Sequence, residues 1–177
     1  MKVKDFAIIG VYTALLIGGQ FALSFVAGVE VVTVLLLTFA YHFGFRRSLI
    51  LVNAFCILRC FIFGFFPTVI ILYFIYYNLF VLLFAFIGKR FKGRLTAVKL
   101  IVIVCLAAVA NACFTLLDDI ITPLFYSFDL TATKAYFVAS LYTMATHVIC
   151  TVATVAILFP PLHFAFSRAL NKPTNSN

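Results

Sequence analysis

The chain has 177 residues, of which 66% are hydrophobic and 10% charged, with 23 Phe and a net charge of +8. No water-soluble domain can hide that much apolar surface, and the apolar runs lack the alternation of outer-membrane strands, which leaves membrane-spanning helices. The positive charge does not mark a nucleic-acid binder, because the basic residues fall at span ends, where the positive-inside bias and anionic headgroups account for them.

Eleven of the 13 Lys and Arg form four clusters: Lys2/Lys4, Arg46/Arg47, Lys89/Arg90/Lys92/Arg94/Lys99 and Arg168/Lys172. The acidic residues Glu30, Asp118, Asp119 and Asp129 lie between the clusters. Lys4 and Arg46 are 42 positions apart. A straight helix of that length would reach roughly 60 Å, about twice the bilayer core, so the chain must turn back. The polar interruption from Ser24 to Glu30, with Gly28, is the expected turn. The first apolar run, with Ala22-Leu23-Ser24 as a conceivable processing site, reads better as an uncleaved span because another apolar run follows at once. Within it Gly10, Ala14, Gly18 and Ala22 recur at i+4, which gives a smooth face for close helix approach.

Arg47 and Lys89 are again 42 positions apart, and Gly64-Phe65-Phe66-Pro67 supplies the turn. On the third helix Asn53, Cys56, Arg59 and Cys60 line one side. Arg59 lies inside a span and requires a partner, for which Glu30 or Asp118 is the natural candidate. The fourth helix offers Tyr73, Tyr76, Tyr77 and Asn78.

The stretch from Lys99 to Arg168 is expected to hold one span to about Asp118, a polar loop to Lys134, and a last span ending at Pro160-Pro161. Asn111, Thr115, Asp118 and Asp119 share one face of the fifth helix. Tyr136, Ser140, Thr143, His147, Thr151 and Thr154 form a polar stripe on the sixth. The five Cys lie within apolar runs and read as buried free thiols, with no spacing that resembles a metal site.

The expected architecture is therefore an all-α polytopic membrane protein with six transmembrane helices and cytoplasmic termini. Residues 1–168 form one membrane domain and 169–177 a short polar tail. The ionisable groups available for a site all belong to the outer half, and the inner half has none beyond the basic clusters. Glu30, Arg59, Tyr73, Tyr77, Asn78, Asn111, Thr115, Asp118, Asp119, Thr143 and His147 are the candidate ligand-binding residues.

A small six-helix chain with both ends inside, a polar outer half and a small-residue first helix resembles the substrate-binding S component of an energy-coupling-factor (ECF) vitamin transporter. The resemblance covers essentially the whole length. It implies that Gly10, Ala14, Gly18 and Ala22 dock on a transmembrane coupling subunit. It also implies a vitamin or related micronutrient bound near the outer face, under the loop from Phe25 to Glu30. Helices four to six would supply most ligand contacts. The chain has no Walker A string, so ATP would be used by two cytoplasmic ATPase subunits and no cofactor by this chain. The expected location is the bacterial plasma membrane, and toppling in the membrane would release the ligand inside. The alternatives are a small secondary transporter or channel, or an intramembrane enzyme using His147 with Asp118 or Glu30.

Overall fold

A computed structural model describes residues 3–23, 31–91 and 95–171, which form six α-helices. These are α1 (Val3–Leu23), α2 (Val31–Phe43), α3 (Phe45–Phe63), α4 (Pro67–Arg90), α5 (Ala97–Phe125) and α6 (Leu130–Asn171). Four of them, α1, α4, α5 and α6, are long and apolar enough to cross a membrane. The chain is thus a helical membrane protein. Of the six expected spans, α2 has 13 residues, or about 20 Å, and α3 carries Arg46, Arg47 and Arg59.

The short α2 is the centre of the bundle. Every residue from Thr33 to Tyr41 is buried, as an all-round apolar helix should be when neighbours enclose it. Helices α1, α3, α4 and α6 all pack on it, while α5 packs on α4 and α6. Phe39, Phe55, Phe84 and Phe159 fill the core without measurable exposure. Gly64 ends α3 at φ 95°, a conformation that suits a residue without Cβ, and Pro67 opens α4 where a missing N–H costs nothing. This is the turn expected from Gly64-Phe65-Phe66-Pro67.

Two expected boundaries in the last third are corrected. Helix α5 does not end near Asp118 but continues through Pro123 to Phe125. The connection is only residues 126–129, and Asp129 caps α6 by accepting the Ala132 N–H at 2.7 Å. The two aspartates, expected at the end of the fifth helix, therefore sit about two turns inside it. Helix α6 likewise does not stop at Pro160-Pro161 but runs on to Asn171, past the expected domain edge at 168. Tertiary packing holds those last turns. Phe159 and His163 both lie 5.5 Å from the Tyr41 ring, and Phe166 stacks 5.5 Å from His42.

The described members of the basic clusters gather at one end. Arg47 pairs with Asp5 at 3.0 Å, and both line a hollow with Arg46 and Lys89. His163 packs on His42, which brings the Arg168 end of α6 to the same place. The α3–α4 turn and the 126–129 connection lie at the opposite end. All five Cys are free, but only Cys56 and Cys60 are buried, whereas Cys105 and Cys113 are exposed on the outside of α5.

Candidate functional site

Helix α5 buries Ile103, Ala107, Asn111, Thr115, Asp119 and Pro123 at strict i+4 spacing. That row faces α6, which answers with its polar stripe. Asn111 Nδ2 donates to Thr151 Oγ1 at 2.6 Å. The Ser140 hydroxyl donates to Asp119 Oδ2 at 2.7 Å, and the Tyr136 hydroxyl to Asp118 Oδ2 at 2.7 Å. Asp118 Oδ1 accepts from Thr122, one turn on, also at 2.7 Å. Short bonds of this kind to carboxylates are the strong ones. Thr154 turns instead to its own helix and donates to the Cys150 carbonyl.

Above the Asn111–Thr151 clasp the two helices leave a cavity of about 230 Å³. Thr115, Asp118, Thr143 and His147 line it, joined by Phe114, Tyr136, Ala139 and Ser140. Four of the candidate residues thus meet in one place. Asp119 lies one layer behind, reached through Ser140, and its Oδ1 is buried with no hydrogen-bond partner among the described residues. Asn111 sits deeper and serves the α5–α6 seam.

The aromatic residues of α4 extend this site toward α3. Phe114 packs 5.8 Å from Tyr73 and 4.7 Å from Tyr76, and Tyr77 stands edge-on to Tyr73 at 5.0 Å. The Arg59 guanidinium lies 4.1 Å from the Tyr73 ring centroid and 5.2 Å from that of Phe63. Ring faces attract cations, most strongly where water is scarce. Arg59 does not pair with Asp118, whose two oxygens each accept from one hydroxyl, and among the described residues its Nε is buried without a hydrogen-bond partner. Glu30, the other expected partner, and the Phe25–Glu30 loop lie outside the described residues.

Asn78 is not brought to the cavity. It exchanges long hydrogen bonds with Asn53, 3.3 and 3.4 Å, across the α3–α4 seam, and each amide also donates to its own helix. The pair is helix-packing glue. Asn53→Ala and Asn78→Ala are each expected to lower stability by about 1 kcal/mol or less, with a coupling near 0.6 kcal/mol in a double-mutant cycle. Thermal midpoints check this, and solute binding should not change.

Phe114 escaped the sequence reading because one Phe among 23 carries no signal; its place one turn before Asp118 was the available hint. Tyr136 and Ser140 were visible as members of a stripe but not as carboxylate partners. The half of the bundle at the basic end is also less empty than expected. His42 and His163 face each other with ring centroids 4.8 Å apart at the basic end. Among the described residues His42 Nε2 and His163 Nδ1 are buried without hydrogen-bond partners. The two residues are 121 positions apart, so only packing reveals them. Among the described residues no group of three metal-ligating side chains forms.

The stripe of Gly10, Ala14, Gly18 and Ala22 is exposed along its whole length. A Cβ added at Gly10 or Gly18 would meet nothing within 4 Å. Within the bundle α1 packs by its other face, through Ile9, Tyr12, Thr13 and Leu16. Comparison with protein-family models, with curated proteins and with solved structures returns no match to this chain.

Proposed function

We propose that this chain is the substrate-capture S component of an ECF-type importer in a bacterial plasma membrane. It takes a vitamin or related micronutrient from outside and hands it inward with a coupling subunit and two ATPases. The positive-inside bias puts the basic end in the cytoplasm and the α5–α6 cavity toward the exterior. The observation that carries this reading is the separation of two surfaces. A polar cavity with Phe114 and Tyr136 in its lining belongs to α5 and α6, while a small-residue face on α1 is left open on the outside of the bundle. A receptor that captures one molecule and docks on another needs both.

The cavity is below the usual 300–1,000 Å³ of drug-sized sites, which favours a small, single-ring solute. Asp118 and His147 would meet its polar groups, and Arg59 an anionic one. Tyr73 and Phe114 would pack on its ring.

Gly18→Leu puts four carbons on the open face, at a position where the first of them meets nothing within 4 Å among the described residues. It is expected to abolish co-purification of the coupling subunit and ATPases while leaving bound solute, measured by mass spectrometry, unchanged. Loss of solute together with docking would count against two separate surfaces. Acid–base catalysis by His147 and Asp118 is the second reading, since both line one cavity. Turnover by the isolated protein would favour it; capture requires stoichiometric binding alone.

A further inference from the structure

The basic end holds a second hollow, of about 570 Å³, between the start of α1, the α2–α3 turn and the end of α4. Among the described residues Arg46, Arg47 and Lys89 line it against a single carboxylate, Asp5. Asp5 is bound to Arg47 at 3.0 Å. The lining therefore keeps two positive charges in excess, carried by the exposed Arg46 and Lys89. Such a hollow selects an anion.

A groove of about 450 Å³ adjoins it and shares two of its residues, Phe45 and Lys89. Its remaining lining is hydrocarbon: Leu79, Leu82, Leu83, Ala85 and Phe86 of α4. Leu79, Leu82, Leu83 and Phe86 recur at i, i+3, i+4 and i+7, so they form one helix face, and all are exposed on the outside of the bundle. Ten residues separate Leu79 from Lys89. At 1.5 Å each that is about 15 Å, half of the roughly 30 Å hydrocarbon core and so the depth of one leaflet.

We propose that the two together form a binding site for one anionic phospholipid. The phosphate sits among Arg46, Arg47 and Lys89, and one acyl chain lies along the Leu79–Phe86 row. Basic pockets beside transmembrane helices on the cytoplasmic side recognise phosphate headgroups in this way. A free phosphate would use the hollow but leave the apolar groove unexplained, and a zwitterionic lipid would fill the groove but meet excess positive charge. The site lies at the opposite end from the solute cavity and does not depend on what that cavity binds.

The test is native mass spectrometry of the full chain with phosphatidylglycerol, phosphatidylcholine or inorganic phosphate added. Phosphatidylglycerol is expected to stay bound at one per chain and to outcompete phosphatidylcholine. Arg46→Gln and Lys89→Gln keep the Asp5–Arg47 pair. Each should weaken phosphatidylglycerol about five-fold, the effect of one cation near the membrane surface. Leu83→Trp, which fills the groove from an outward position, should weaken the same lipid without shifting the melting temperature. Equal retention of phosphatidylcholine overturns the proposal, as does an unchanged affinity in all three variants. Displacement of the lipid by millimolar inorganic phosphate also overturns it, in favour of a free-anion site.

Discussion

Gly88→Ala is expected to destabilise the bundle by about 3 kcal/mol or more, the upper range for overpacking a tight core. The melting temperature should fall by roughly 6–12 °C, or the folded protein should fail to accumulate. A Cβ on Gly88 would lie 2.8 Å from both the Cα and the carbonyl carbon of Tyr41, and closer still to its oxygen. These are backbone atoms, so no rotamer change makes room. Tyr41 cannot retreat either. Its hydroxyl donates to the Phe91 carbonyl at 2.8 Å, its ring is wedged against Phe159 and His163, and α2 is enclosed by four helices. Gly88 is where the backbones of α2 and α4 touch. Gly10→Ala and Gly18→Ala are the controls, because each new methyl would meet nothing within 4 Å. A Gly88→Ala protein that melts within about 2 °C of the parent would show that the α2–α4 contact is looser than described.

Arg59→Met is expected to separate stability from function. The Arg59 Nε is buried without a hydrogen-bond partner among the described residues, and a donor left in that state costs about 1–3 kcal/mol. Its stacking on Tyr73 and Phe63 returns a comparable amount. Met retains an apolar stem against both rings, so stability should move by no more than about 1 kcal/mol. Solute binding should fall roughly 10- to 150-fold, the loss expected for one hydrogen bond to a charged group. The opposite pattern would mark a structural ion pair. Breaking a buried pair costs about 3–5 kcal/mol, which would appear as a drop of at least 6 °C. Melting curves and the amount of co-purifying solute distinguish the outcomes. Arg59→Lys should not rescue fully, since a lysine lacks the flat guanidinium that stacks on Tyr73.

Local chemistry made much of the site readable in advance. The i, i+4, i+7, i+8 spacing of Asn111, Thr115, Asp118 and Asp119 and the facing stripe of α6 are properties of single helices, and the structure puts them opposite each other. Asn78 misled for the same reason. Its place next to Tyr77 put it in the same turn of α4, but the choice between ligand and Asn53 depends on a neighbour 25 residues away. Of the two partners expected for Arg59, Asp118 accepts instead from Tyr136 and Thr122, and Glu30 lies outside the described residues. The ends of α5 and α6 were misplaced because proline and polar residues argue for a break, whereas Pro123, Pro160 and Pro161 all sit inside helices. Neighbouring helices tolerate prolines that an isolated helix would not.

The order of charges and apolar runs was enough to establish a helical membrane protein, the turn at Gly64–Pro67, and one cation-rich end. Those features depend on each segment's own exchange between water and lipid, a property that composition carries. Which helix lies at the centre, where Gly88 meets Tyr41, and how His42 comes to face His163 depend on side chains far apart in the chain. So does the outward turn of the Gly10–Ala22 face, since a row of small residues can be buried or open. Its direction was decided when Ile9, Tyr12, Thr13 and Leu16 took the inner face of α1.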